Sequence, residues 1–265
     1  MRFVLLLALL LLAAPAQSAE RILALSPHAC EILFAIGAAN EVVGAASACD
    51  YPAAVFSLPV VGNFKHVNVE AALRLRPTMA VVFDRRMGGL GRLQSMGVKV
   101  VETHPRTVQQ VVHDIRRLGR LTGHAESARR LADDFDSRLK KLHQQVTASI
   151  KVFFEAWSRP LVSSGASSFI TDVLRVSGAR NVFGHVSAES PRVSVEAVIR
   201  ARPAAILVPD MPGHVKVRRH FWRQYFGDRV PVIPVPQDLI SRPGPRLIDG
   251  IEILSVRLHE AVDDS

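Results

Sequence analysis

Short apolar runs alternate with amphipathic stretches along most of the chain. Ile22 to Leu25 reads as a buried strand, and Ser26-Pro27 then supplies a helix cap with proline at the first helical position. The helix continues through Glu31, Ile32, Leu33 and Ile36 and stops at Gly37. Further strands are predicted at Val42 to Ala46, Val60-Val61, Met79 to Phe83 and Val98 to Glu102. Strands separated by helices imply parallel pairing and an α/β layer architecture.

Between Gly123 and Pro160 there is neither glycine nor proline, and apolar residues recur at Ala128, Leu131, Phe135, Leu139, Leu142 and Val146. Intervals of three and four are helical, and about 23 residues at 1.5 Å each make a rod of roughly 35 Å, longer than one lobe needs. The rod reads as a connector between two lobes. The strand and helix pattern then restarts: a strand at Ile150 to Ala156, a helix at Ser167 to Val176, a basic amphipathic helix at Lys216 to Phe226, a strand at Val230 to Val235 and a terminal helix at Arg242 to Ala261. The expected organisation is an N-terminal α/β lobe over 20–122, a connecting helix over 123–148 and a C-terminal α/β lobe over 149–265.

A repeat supports two similar halves. Val67 to Phe83, VNVEAALRLRPTMAVVF, returns 126 positions later as Val193 to Pro209, VSVEAVIRARPAAILVP, with eight of seventeen positions identical. Each copy has a cap residue, Asn68 or Ser194, a short helix, a proline and an apolar strand. Glu70 and Glu196 sit in the first turn, where a carboxylate gains roughly 0.3 to 1 kcal/mol from the helix dipole.

Composition narrows the class. The chain has 265 residues, 48% apolar and 22% charged, as in globular proteins. Residues 1–19 read as a secretory signal: Arg2, an apolar stretch from Phe3 to Ala14, and Ala-Gln-Ser-Ala at 16 to 19. Their removal predicts an exported, periplasmic protein; a retained anchor is the alternative. Without them the formal charge of +9 becomes +8, since Arg2 is their one charged residue. The basic residues are interleaved with acidic ones, as in RRLADDFDSRLKK, and two tyrosines and two tryptophans make a poor stacking platform, so nucleic acid is not the expected partner. Cys30 and Cys49 each follow a predicted strand; in an oxidising compartment they can pair, the alternative being two separate buried thiols.

Ligands of open α/β sheets lie beyond the carboxyl ends of the strands. This selects Ser26 to His28, Asp50 to Pro52, Phe64 to His66, Phe83 to Arg86, His104, Trp157, Ser163 to Ser168, Asp210 and Asp238 to Arg242. The glycines at 88, 89 and 91 do not complete a dinucleotide fingerprint, since Gln94 stands at the third position, and read as a loop; GxxxxGK[ST], GxSxG and HExxH are absent from the sequence. His28, His66, His104 and Asp238 are too widely spaced to make a metal motif, and the expectation is no metal and no catalysis.

In order and at their spacings, RILALSPHACEILFAIGA, CDYP, VVGNFKHVNVEAALRLRP, GARNVF and PVIPVPQDLISRPGPRLIDG resemble the exported substrate-binding proteins of ATP-driven (ABC) importers, in the branch that carries cobalamin, with haem and iron-siderophore carriers as more distant relatives. The resemblance covers essentially the whole mature chain. It implies two Rossmann-like α/β lobes joined by one long helix, a corrinoid in the cleft between them and no cofactor beyond that cargo. It also implies delivery to an inner-membrane permease and its ATPase. Ligand contacts carry over onto Asp50, Tyr51, Pro52, Phe64, Phe83, Asp238 and Arg242, and permease docking onto Glu70 and Glu196. The alternatives within the class are haem, with Tyr51 or His66 as axial ligand, or a ferric siderophore; a transition-metal protein is the reading outside it. Ser190-Pro191 stand where the cobalamin relatives place a tryptophan, and Ser177 and Ser255 where they often place a cysteine pair.

Overall fold

A computed structural model of the protein describes residues 20–146 and 149–263. The expected signal segment, 1–19, lies outside the described residues. The first half runs β1 (Ile22–Ala24), α1 (Pro27–Ala35), β2 (Val42–Ala46), β3 (Val60–Gly62), α2 (Val69–Arg74), β4 (Met79–Val82), α3 (Leu90–Ser95), β5 (Lys99–Glu102), α4 (Val108–Leu121) and α5 (Ala125–Gln145). The second half runs β6 (Ile150–Phe154), β7 (Trp157–Ser158), β8 (Leu161–Val162), α6 (Phe169–Val176), β9 (Ala179–Asn181), α7 (Val195–Ala201), β10 (Ala205–Pro209), α8 (His214–Phe226), β11 (Val232–Val235), α9 (Gln237–Ile240) and α10 (Leu247–Asp263).

Among the described residues the strands form two parallel sheets, ordered β3-β2-β1-β4-β5 and β11-β10-β6-β9, and the antiparallel hairpin β7-β8. With β6 laid on β1, the order β2-β1-β4-β5 matches β9-β6-β10-β11, so the two lobes share one topology. The repeat marks equivalent places in them. Asn68 and Ser194 both cap their helices, accepting from the Ala71 and Ala197 N–H groups. Arg76 and Arg202 both adopt φ 48°, an uncommon left-handed conformation for a residue with a β-carbon, immediately before the shared proline.

The lobes meet behind the sheets. One apolar core contains Ile22, Ile32 and Ile115 of the first lobe, Phe135 and Leu142 of α5, and Phe154, Leu174, Leu207 and Leu254 of the second. Helix α4, whose Val108, Val111, Val112, Ile115 and Leu118 are buried at helical spacing, packs along α5, and α10 packs on α5 from the other lobe. Burying side chains of this size stabilises by roughly 1.5 to 3 kcal/mol each. Each lobe has one smaller core of its own on its outer face, under α2 and α3 in the first and under α7 and α8 in the second.

Several boundaries differ from those expected. The terminal helix does not start at Arg242: Pro243 and Pro245 bias their predecessors away from helical backbone, so a short α9 ends at Ile240 and α10 begins at Leu247. The strand expected through Ala156 ends at Phe154, because the chain turns into the β7-β8 hairpin around Arg159-Pro160. The glycine loop closes at Gly89, which caps α3 at φ 91°, and Gly91 lies within that helix. Helix α5 is 21 residues long and carries the chain from one lobe to the other.

Candidate functional site

Each sheet reverses its strand order beside its first strand: between β1 and β4 in one lobe, between β6 and β10 in the other. Loops leaving neighbouring strands at such a point diverge and open a crevice. The segments that follow these strands carry His28, in the first turn of α1, and Phe83 in the first lobe, and Trp157, at the start of β7, and Met211 in the second. Tyr51, Phe64, Trp157 and Met211 are large side chains left exposed at these strand ends; Trp157 is 62% exposed. The ends of the two sheets face each other, because Asp50, beyond β2, is bonded to Arg242, beyond β11.

The first-lobe wall is aromatic. The Phe83 ring lies 4.2 Å from that of His104, 6.1 Å from Phe64 and 5.6 Å edge-on from His28, centroid to centroid. His28 is buried, with Nε2 at 2.8 Å from Thr103 Oγ1 and 3.0 Å from the Thr103 carbonyl. The Thr103 hydroxyl donates its one proton to the Val82 carbonyl, so His28 Nε2–H is the donor to Thr103 and Nδ1 is bare. Burial pushes its pKa down to about 4, keeping the ring neutral. Next to Phe83 in the chain, the Arg86 side chain and N–H hold the Asp84 carboxyl at about 2.

The second-lobe wall is the β7-β8 hairpin. Trp157 Nε1–H donates to the Arg159 carbonyl at 2.9 Å. Directly before the hairpin Glu155 is fully buried, accepting from Trp222 Nε1–H at 2.7 Å and from Arg218 Nη2–H at 2.9 Å. The Arg218 guanidinium lies over the Phe221 ring at 4.1 Å. A buried carboxylate needs such partners, and here they fix the strand end that carries Trp157.

One side of the cleft is closed by ionic contacts. Arg242 bonds Asp50 with both terminal nitrogens, Nη2 to Oδ2 at 2.8 Å, and reaches Asp238 Oδ1 at 3.3 Å. The guanidinium holds the Asp50 carboxyl below its ordinary range. Arg246 pairs with Glu31 and lies over the Tyr51 ring at 3.8 Å. On the opposite side Arg106 Nη1–H donates to the Ser167 carbonyl at 3.3 Å, and the Val108 N–H to Asp172 Oδ2 at 2.8 Å.

Of the residues selected from sequence, Asp50, Tyr51, Asp238 and Arg242 come together at one end of the cleft, and Phe64, Phe83, His28 and His104 along one wall. His66 and Asp238 do not join His28 and His104, and among the described residues no group of three or more His, Cys, Asp or Glu can hold a metal ion. Cys30 and Cys49 are joined in a disulfide that ties α1 to the Asp50–Pro52 loop. Glu70 and Glu196 stand exposed on α2 and α7; hydrogen bonding from Ser194 lowers the Glu196 pKa. Glu31 and Arg246 escaped the sequence reading. The signal was there: Glu31 is the one acidic residue in the largely apolar PHACEILFA.

A cavity of about 1120 Å³ along the edge of β9 adjoins the Arg106–Ser167 contact and includes Ser168, Arg175 and Arg180. It holds none of the exposed aromatics, so the strand-end cleft is the better candidate.

Comparisons with known proteins agree with this fold. The vitamin B12-binding protein of Pectobacterium carotovorum subsp. carotovorum is 30% identical over 248 residues, covering 91% of this chain and 88% of that protein. The solved periplasmic vitamin B12 binding protein BtuF of Vibrio cholerae superposes with a TM-score of 0.80 at 26% identity, over 92% of this chain and 98% of that one. The periplasmic heme binding protein HutB of Vibrio cholerae, at 18% identity, shares the fold with a TM-score of 0.77 over 91% and 100% of the two chains. Residues 22–224 match the family described as periplasmic binding protein, and the chain belongs to that family.

Proposed function

We propose that the chain is the periplasmic solute-binding component of an ABC importer, exported by the segment 1–19, which captures cobalamin or a related corrinoid between its lobes. It hands the cargo to an inner-membrane permease driven by its ATPase, with no covalent step. The observation that carries this reading is the pairing of aromatic walls, Phe64, Phe83 and Tyr51 from one lobe and Trp157 from the other, with Asp50, Asp238 and Arg242 at the rim. A flat macrocycle fits between apolar walls, and the amides around a corrin need donors and acceptors at its edge. Exposed carboxylates on the first turns of α2 and α7, one per lobe, suit docking on a two-fold permease, where such charges act on specificity and encounter rate.

Titration with cyanocobalamin tests it. Trp157 is exposed and Trp222 is 1% exposed, so a saturable one-to-one quench that persists in Trp222→Phe reports the cleft. No binding at micromolar ligand would sink the reading. Haem is the second reading, favoured by the half-exposed phenol of Tyr51 in the cleft. A shifted Soret band on haemin titration, lost in Tyr51→Ala, would select it.

A further inference from the structure

We propose that Glu31 is a positioning residue for the ligand-facing ring of Tyr51, acting across the lobes through Arg246. The inference rests on the cobalamin reading above. Glu31 is 3% exposed, in the middle of α1 between Cys30 and Ile32, both fully buried. A carboxylate so placed requires a partner, since an unpaired buried charge costs several kcal/mol. The partner comes from the other lobe: Arg246 Nε–H donates to Oε2 at 3.1 Å and Nη2–H to Oε1 at 2.5 Å, the parallel fork that fixes the plane of a guanidinium. With its edge engaged by Glu31, Arg246 turns its face to the Tyr51 ring, 3.8 Å from the centroid.

Two neighbouring facts strengthen the assignment. The Arg242–Arg246 loop is pressed against the carboxylate: a β-carbon added at Gly244 would stand 2.9 Å from Glu31 Oε2. The other end of the Asp50–Pro52 loop is tied to the same turn of α1, through the disulfide of Cys49 with Cys30. Consecutive residues of α1 thus hold the loop twice, Cys30 by a covalent bond and Glu31 through the C-terminal lobe. A flat ligand laid on Tyr51 meets a ring whose orientation is already set, which reduces the ordering that binding requires.

The test uses the protein labelled with carbon-13 in its tyrosine rings. Only Tyr51 and Tyr225 contribute, and Tyr225→Phe assigns them. Arg246→Lys keeps the charge and loses both fork and plane. In ligand-free protein it is expected to move the Tyr51 resonance towards that of free tyrosine and to weaken cyanocobalamin binding about tenfold. Glu31→Gln should do the same, and Arg246→Lys keeps the test open if Glu31→Gln folds poorly. An unmoved Tyr51 resonance in Arg246→Lys overturns the proposal, as does a moved resonance with wild-type affinity. If the unaltered protein binds no cyanocobalamin, the functional reading fails, and the resonance still decides whether Glu31 and Arg246 hold the ring.

Discussion

Asp50 and Arg242, 192 positions apart, form a two-pronged ion pair from one lobe to the other. Both belong to the rim proposed to meet the ligand, so in this state each satisfies the other's charge. Arg242→Ala is expected to weaken cyanocobalamin binding by roughly ten- to a hundredfold, the loss of a charge-assisted hydrogen bond worth about 1.5 to 3 kcal/mol. The Asp50 side chain is half exposed and water screens the pair, so the melting temperature should change little. Calorimetric titration beside a thermal melt separates the two; a large melting shift with unchanged affinity would reassign Arg242 to structure.

Charge reversal at Glu70 and Glu196 together should abolish uptake by cells while leaving affinity for the ligand intact. Each carboxylate is exposed in the first turn of its helix. A fall in affinity measured on the purified double variant would place these residues on the wrong surface.

Replacing Cys30 and Cys49 by serine removes a cross-link closing 19 positions of chain. On loop length alone this should lower unfolding free energy by about 3 kcal/mol. Urea denaturation of the variant should coincide with that of the unaltered protein under reductant. Equal midpoints with and without reductant in the unaltered protein would show that the bond adds nothing.

Buried His28 links stability to acidity. Its folded pKa, about 4, lies below the ordinary 6.5, so the unfolded chain takes up a proton first as the pH falls. The stability is fully present above pH 6.5 and drains away down to about pH 4. At roughly 1.4 kcal/mol per pH unit, the total is on the order of 3 kcal/mol. His28→Gln, which keeps an N–H donor for Thr103, should flatten this slope in denaturation curves collected across that window. A slope unchanged by the substitution would assign the dependence to other groups.

The sequence carried much of the plan. Alternation of apolar runs and amphipathic stretches located the strands, and the repeat found the two structures that share a cap, a glutamate and an αL arginine. Strand ends then picked out Tyr51, Phe64, Phe83 and Trp157. What stayed hidden depends on contacts between distant segments. Nothing local to Glu31 announces that Arg246, 215 positions on, is its partner. The β7-β8 hairpin was hidden because two-residue strands carry no measurable period. The break before α10 was legible in Pro243 and Pro245, but the apolar spacing of the helix that follows masked it.

The core that threads α5 has a further consequence. Because Ile115, Phe135 and Leu254 belong to one buried cluster, the two halves share that core besides the smaller one each has to itself, and severing the chain within α5 would leave both pieces with an unroofed apolar flank. The two lobes should therefore melt together, as one cooperative unit. They also cannot swing like jaws without opening that shared interior to water. The gap between them is therefore expected to keep nearly one width, and a scattering profile that changes markedly with ligand would contradict this.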